Sequence, residues 1–227
     1  MAGILYGIGV GPGNPELLTL KAVKAMAVCD VFAVPDSGGE QQIALDIARE
    51  YVAYKQVLSL DLPMTHDRAE LLRKRELAAD EICARLDAGK NVGFLTLGDP
   101  MVYSTYSYLH RIIVSREYEA RIIPAVTSFC AAAAALGEPL CEGSDALHII
   151  PALYGDMENA LKLDGTKVLM KSGSKLDQAL ETVSKSNQQA FIAQRVGMEG
   201  QRLLRYPAED VSNNIESDYF SIVIVKK

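Results

Sequence analysis

The chain has 227 residues, 49% of them apolar and 23% charged, which is ordinary globular usage and excludes a disordered or fibrous protein. Lys and Arg number 23 against 29 Asp and Glu, and the net charge of −6 argues against a protein that grips nucleic-acid phosphates. The length suits one large domain or two compact ones.

From the N-terminus, Ile4–Val10 reads as a strand, Leu17–Val28 as a helix, Val31–Val34 as a strand, Gln41–Glu50 as a helix and Val57–Leu60 as a strand. Ala69–Gly89 is a long helix with Leu71, Ala78, Ile82 and Leu86 on one face. Val92–Leu97 is a strand, Ser104–Ser115 a helix and Arg121–Ile123 a short strand ending at Pro124. This alternation predicts a parallel, doubly wound sheet. In the second half Thr127–Leu136 is an alanine-rich helix, Ala146–Pro151 and Lys167–Lys171 are strands, Leu176–Ser184 is a helix and Ala190–Val196 a strand. Leu203–Tyr206 and Tyr219–Val225 look like strands joined without a helix, which fits an antiparallel edge. A boundary near Ala120–Pro124 gives two α/β domains, 1–120 with a mostly parallel sheet and 121–227 with a mixed one.

Cys29, Cys83, Cys130 and Cys141 form no CxxC pair, and His66, His110 and His148 lack metal-ligand spacing, so reduced thiols and no bound metal are expected. Met1–Tyr6 lacks the basic start and apolar run of a signal peptide, and no stretch reaches the ~20 apolar residues of a membrane span. The expectation is a soluble cytoplasmic protein with neither nucleic-acid nor membrane partner.

Three strand ends carry the chemistry. Gly7–Glu16 is a glycine-rich turn in which Asn14 suits an N-cap and Pro15 a first helical position. The dinucleotide fingerprint fails there, because its third glycine would be Pro12 or Asn14. A phosphate loop fails too, since the nearest lysine is Lys21, inside the helix. The second turn is Gly98-Asp99-Pro100-Met101-Val102-Tyr103, where Asp99 is either a helix N-cap or a carboxylate aimed into a crevice. The third, Pro124-Ala125-Val126-Thr127-Ser128, caps a helix through Thr127 or Ser128. In that helix Ala131–Ala135 allows close packing or close approach to a flat ligand. Strand ends on one side of a parallel sheet are where open α/β folds bind ligands.

Together these segments resemble the tetrapyrrole methylases, S-adenosylmethionine-dependent enzymes of corrin and sirohaem synthesis. The family pattern GxGPGDPxLLTL, then GDP, then PGxTS appears here as Gly9–Leu20, Gly98-Asp99-Pro100 and Pro124–Ser128. Asn14 stands where the pattern has Asp and Ala125 where it has Gly. Leu62-Pro63-Met64, Leu95–Leu109, Leu136–Gly143 and Ile149–Ala152 are most similar to the branch acting at C-20 of precorrin-2 or cobalt-factor II. The resemblance implies the two-domain class III methyltransferase fold, a cofactor in the cleft between domains, S-adenosylhomocysteine as product, and a homodimer. Carried over by motif, cofactor contacts are Pro12, Leu97, Gly98, Asp99, Val102, Thr127 and Ser128, with Ala152, Met170 and Val196 from the second domain.

Such a transfer needs the reacting carbons held in line at ~3–3.5 Å rather than an enzyme nucleophile. Asp99 or Tyr103 is the expected group that orients the ring or assists proton loss. Of Tyr103, Tyr106 and Tyr108, one helix face cannot present all three, so at least two are ordinary core or interface residues. Alternatives are another ring position or a uroporphyrinogen methylase, a relative acting on protein or RNA, and a non-catalytic tetrapyrrole carrier. A substrate rimmed with carboxylates meets an acidic protein, so local cations or N–H groups must bind it; Arg195, Lys171, Arg111 and His148 are the candidates.

Overall fold

The computed structural model describes residues 1–36, 39–63, 65, 67–152, 157–172, 176–186, 188–206 and 215–226; Met64 and His66, singled out above, lie outside them. The chain divides into two compact units, Met1–Thr127 and Ser128–Lys227. The division falls after the boundary expected at residue 120, because the strand Ala120–Ile123 pairs with Leu5–Ile8 and so belongs to the first sheet.

The first unit is a parallel sheet of β1 (Leu5–Gly9), β2 (Val31–Pro35), β3 (Gln56–Leu60), β4 (Val92–Thr96) and β5 (Ala120–Ile123), in the order β3-β2-β4-β1-β5. Helices α1 (Leu20–Val28), α2 (Gly39–Ile47) and α3 (Arg49–Val52) belong with one core, built on Ile8, Phe32, Val34 and Leu95. Helices α4 (Arg68–Asp87) and α5 (Tyr106–Ser115) contribute to the other, around Leu5, Ala33, Leu60 and Phe94. The alternation of these residues along each strand is the period of a sheet covered on both faces. Connections leaving β1 and β4 run in opposite directions across the sheet, which makes their C-terminal ends the switch point where open sheets bind ligands.

The single helix expected over Leu17–Val28 is two elements. Asn14 caps a 3-10 turn, Pro15–Leu17, accepting from the Glu16 N–H at 2.9 Å, and Thr19 then caps α1 by accepting from Ala22 N at 3.1 Å. Asn14 thus supplies a cap, but Leu18 and Thr19 interrupt the helix behind it.

The second unit is a mixed sheet, β6-β7-β10-β8-β9, of β6 (Leu147–Pro151), β7 (Thr166–Met170), β8 (Gln189–Gln194), β9 (Arg202–Tyr206) and β10 (Ser221–Lys226). Only β9 takes the antiparallel edge expected for the last two strands. β10 lies at the centre, antiparallel to both β7 and β8, and its run Ile222–Val225 is buried throughout. A continuous apolar run reads as a strand covered on both sides, and that is what its position requires. Helices α7 (Met157–Leu161) and α8 (Leu176–Lys185) contribute Leu161, Leu176, Leu180 and Val183 to the core, while α6 (Ser128–Leu136) packs on β8 and β10. Ala131, Ala132 and Ala133 are buried in α6 and Ala134 and Ala135 exposed, so the alanine run serves close packing on its inner face. The five-residue α7 had no signal in the sequence strong enough to mark it.

Tyr106, fully buried, lies under β1 where Gly7 leaves room: a Cβ on Gly7 would collide with its ring. Its hydroxyl meets His110 Nδ1 at 3.1 Å. Burial pushes the Tyr106 phenol well up, and the same cause lowers His110 below its ordinary 6.5. Folding disfavours the charged form of His110, so the unfolded chain takes up its proton first. The stability tied to this group is present above about pH 6.5 and lost as the pH falls below it. In urea melts, His110→Asn should flatten the decline of the midpoint between about pH 6.5 and 5. An unchanged slope refutes this role.

Candidate active site

Adjacent in a parallel sheet, β1 and β4 end side by side, with Gly9 in register with Thr96. The chain beyond them does not diverge. Gly98 N donates to Gly11 O at 2.8 Å and Gly11 N donates to Gly98 O at 3.3 Å, so the two glycine turns clasp each other through their backbones. Both glycines sit in the left-handed region, at φ 79° and 71°, where a side chain would be strained. The space where a Cβ of Gly98 would project is empty to 4 Å.

Asp99 extends the clasp to the third turn. Its Oδ1 accepts from Met101 N at 2.8 Å and its Oδ2 from Ala125 N at 2.9 Å, a bond from the loop after β4 to the loop after β5. Both carboxylate oxygens are therefore engaged by backbone donors, and Asp99 caps its own turn rather than α5, which begins at Tyr106. Thr96 Oγ1 and Ser104 Oγ, 2.9 Å apart, tie the strand end to the approach of α5.

Ala125 is accommodated by Gly9. A Cβ at position 9 would stand 2.6 Å from Ala125 Cβ and 2.7 Å from Gly98 O. The methyl that departs from the family pattern therefore sits against a glycine of β1.

Two further expected residues are distinctive. Thr127 Oγ1 is buried with no hydrogen-bond partner among the described residues, so its hydroxyl does not cap α6. A buried hydroxyl left unmet is uncommon in folded proteins. Tyr103 is 45% exposed at φ 50°, a strained conformation for an aromatic residue. Tyr106 belongs to the core, and Tyr108 lies under the Arg75 guanidinium, 3.6 Å from its ring centre. Pro12 is buried beside Gly11, while Leu97 and Val102 are half-buried on the same turns as Gly98.

The second unit gathers its expected residues at one end of its own sheet. β6, β7 and β8 share a direction, and Ala152, Met170 and Val196 stand at or just past their C-termini. Ala152 N donates to Met170 O at 2.8 Å. Lys171 and Arg195 follow β7 and β8 with φ of 55° and 51°. Arg111 packs instead on Tyr108, 5.2 Å from its ring centre, and His148 Nε2 lies 2.8 Å from Asp164 O. Sequence reasoning missed the partner of Asp99, Ala125 N, and the brace on Arg195, Asp218; neither bond is local, and no motif spans it. Among the described residues no group of three or more His, Cys, Asp or Glu could hold a metal ion, and no helix is long and apolar enough to cross a membrane.

The chain matches the family profile described as Tetrapyrrole (Corrin/Porphyrin) Methylases over residues 4–212. It is 32% identical to the Probable cobalt-precorrin-2 C(20)-methyltransferase of Methanocaldococcus jannaschii, covering 98% of this chain and 96% of that protein. It is 30% identical to the Precorrin-2 C(20)-methyltransferase of a Sinorhizobium species, covering 98% and 95%. A solved structure of uroporphyrin-III C-methyl transferase from Thermus thermophilus, complexed with S-adenosyl homocysteine, superposes with a TM-score of 0.72 at 19% identity, covering 99% and 98% of the two chains.

The Asp99 geometry makes a stability prediction. Asp99→Ala strands two backbone N–H groups and should cost about 1–3 kcal/mol, read as a lower urea midpoint. Asp99→Asn, with one acceptor oxygen left, should cost roughly half as much. Equal midpoints for Asp99→Ala and the parent would refute the bracing role.

Proposed function

Since the chain belongs to the tetrapyrrole (corrin/porphyrin) methylases, we propose that it transfers a methyl group from S-adenosylmethionine to C-20 of precorrin-2 or its cobalt-bearing counterpart. The observation that carries the ring position is the near-full-length similarity, at 30–32% identity, to two relatives whose names both specify C(20). The methyl donor is supported by family membership and by the S-adenosyl homocysteine held in a protein of the same fold.

S-adenosylmethionine, when bound, supplies an electrophilic methyl group on a sulfonium. The residues present fit it. Gly98 leaves open space beside a backbone that a flat or polar group can approach, and Thr127 Oγ1 is a buried hydroxyl without a partner among the described residues. Pro12, Leu97, Val102 and Ser128 complete the proposed contacts around these two, and Ala152, Met170 and Val196 are those of the second unit. Asp99 acts by position: with both oxygens taken by N–H groups, it holds the loop carrying Gly98 against the loop carrying Thr127. Tyr103, exposed on the same turn, is the proposed group that orients the ring or assists proton loss. A homodimer in the cytoplasm is part of the same reading.

Incubation with labelled S-adenosylmethionine and precorrin-2, metal-free or cobalt-loaded, should release S-adenosylhomocysteine and place the label at C-20. Label at another ring carbon would overturn the position, and binding without turnover would favour a carrier. Thr127→Val should leave the melting midpoint equal or slightly raised, because the hydroxyl makes no bond among the described residues. The same change should weaken S-adenosylmethionine binding roughly three- to tenfold by calorimetry. Unchanged affinity would remove Thr127 from the contact set.

A further inference from the structure

Arg195 is held in an unusual way. It follows β8 at φ 51°, a backbone region that a long L side chain enters only under constraint. The constraint is visible: Arg195 N donates to Phe220 O at 3.2 Å, and Arg195 O accepts from Met198 N at 2.9 Å. From this backbone the side chain reaches Asp218, whose Oδ2 accepts from Arg195 Nε at 2.8 Å. Asp218 is itself fixed, with Oδ1 accepting from Phe220 N at 2.8 Å and its carbonyl from Ser221 Oγ at 2.7 Å.

The other ion-paired arginines of the described residues, Arg49, Arg116, Arg121 and Arg205, all commit an Nη atom to a carboxylate. Arg195 alone is engaged through Nε only, and its side chain is 49% exposed. Its Nη1 and Nη2 therefore form a fork with no partner among the described residues, pre-aimed by a carboxylate at its back. A guanidinium has donors enough for two carboxylates, one on Nε and a second, bidentate, on the fork. The fork stands at the sheet end that carries Ala152, Met170 and Val196.

Resting on the tetrapyrrole reading above, we propose that Arg195 is a specificity-determining residue that receives a rim carboxylate of the substrate on this fork, with Asp218 as its positioning residue. The ligand class is a carboxylate on a flexible acetate or propionate arm, which suits a planar bidentate donor better than a point charge. This also answers how an acidic chain takes up a polyanion: the recognition is one oriented guanidinium rather than net charge.

The test measures precorrin-2 affinity by absorbance titration, alongside kcat, KM, S-adenosylmethionine affinity and melting midpoint, for the parent, Arg195→Met, Arg195→Lys and Asp218→Asn. Arg195→Met should weaken precorrin-2 binding and raise KM about tenfold or more, the scale of a charge-assisted bond, while kcat and cofactor affinity stay within about threefold. Arg195→Lys should recover only part of the loss, since it restores charge without the fork. Asp218→Asn should fall between the parent and Arg195→Met. Precorrin-2 binding by Arg195→Met within about twofold of the parent would overturn the proposal, as would a parallel loss of cofactor binding and melting midpoint, which marks a structural role. A parent that binds precorrin-2 through Arg195 without methylating it would defeat the transferase reading and leave the anchor standing.

Discussion

The reciprocal pair of backbone hydrogen bonds between Gly11 and Gly98 is the constraint from which the rest of the first unit's site is built. Strand pairing alone would bring β1 and β4 together and then let the chain diverge toward α1 and α5. The clasp carries the pairing past the strand ends, and it is open only to residues that accept positive φ on both sides. Asp99 then joins a third loop to the pair through one side chain, so that three separate segments behave as one surface. None of the interactions is individually large, since a single hydrogen bond nets about 1 kcal/mol. Their value lies in preorganisation, because a ligand that meets a fixed surface does not have to order it.

Sheet order explains why those loops are neighbours although they are far apart in sequence. Right-handed crossovers place α1–α3 on one face and α4 and α5 on the other, and the strands flanking the reversal are the ones whose ends carry the glycines. The face behind them is sealed by Tyr106, which fits only because β1 has no side chain at Gly7. The glycines of β1 and of the turn behind it therefore divide their labour: Gly7 admits a ring from below, Gly9 admits the Ala125 methyl beside Gly98, and Gly11 makes the turn.

Much of this was legible in the sequence. Local periodicity marks Val31–Val34, Val92–Leu97 and the long helix ending near Gly89 to within a few residues, since each side chain there faces a core set by its own element. The order of the three glycine- and proline-rich turns was readable because turn chemistry is local. What stayed hidden is what distant residues decide. The apolar run Ile222–Val225 states that a strand is covered on both sides but not which strands cover it, so its central place between β7 and β8 emerges only from the register. Likewise the residue type of Asp99 permits a helix N-cap or a carboxylate aimed into a crevice, and its bond from Ala125 N, 26 positions on, is one that no local pattern announces.

The unpartnered hydroxyl of Thr127 carries a consequence beyond the site. A buried polar group left unmet is a standing cost of the folded state, and a ligand that satisfies it returns stability to the whole unit by mass action. Abundance of the folded chain under proteolysis would then follow the concentration of any ligand that fills that position. A chain built in this way would last longest where such a ligand is most abundant.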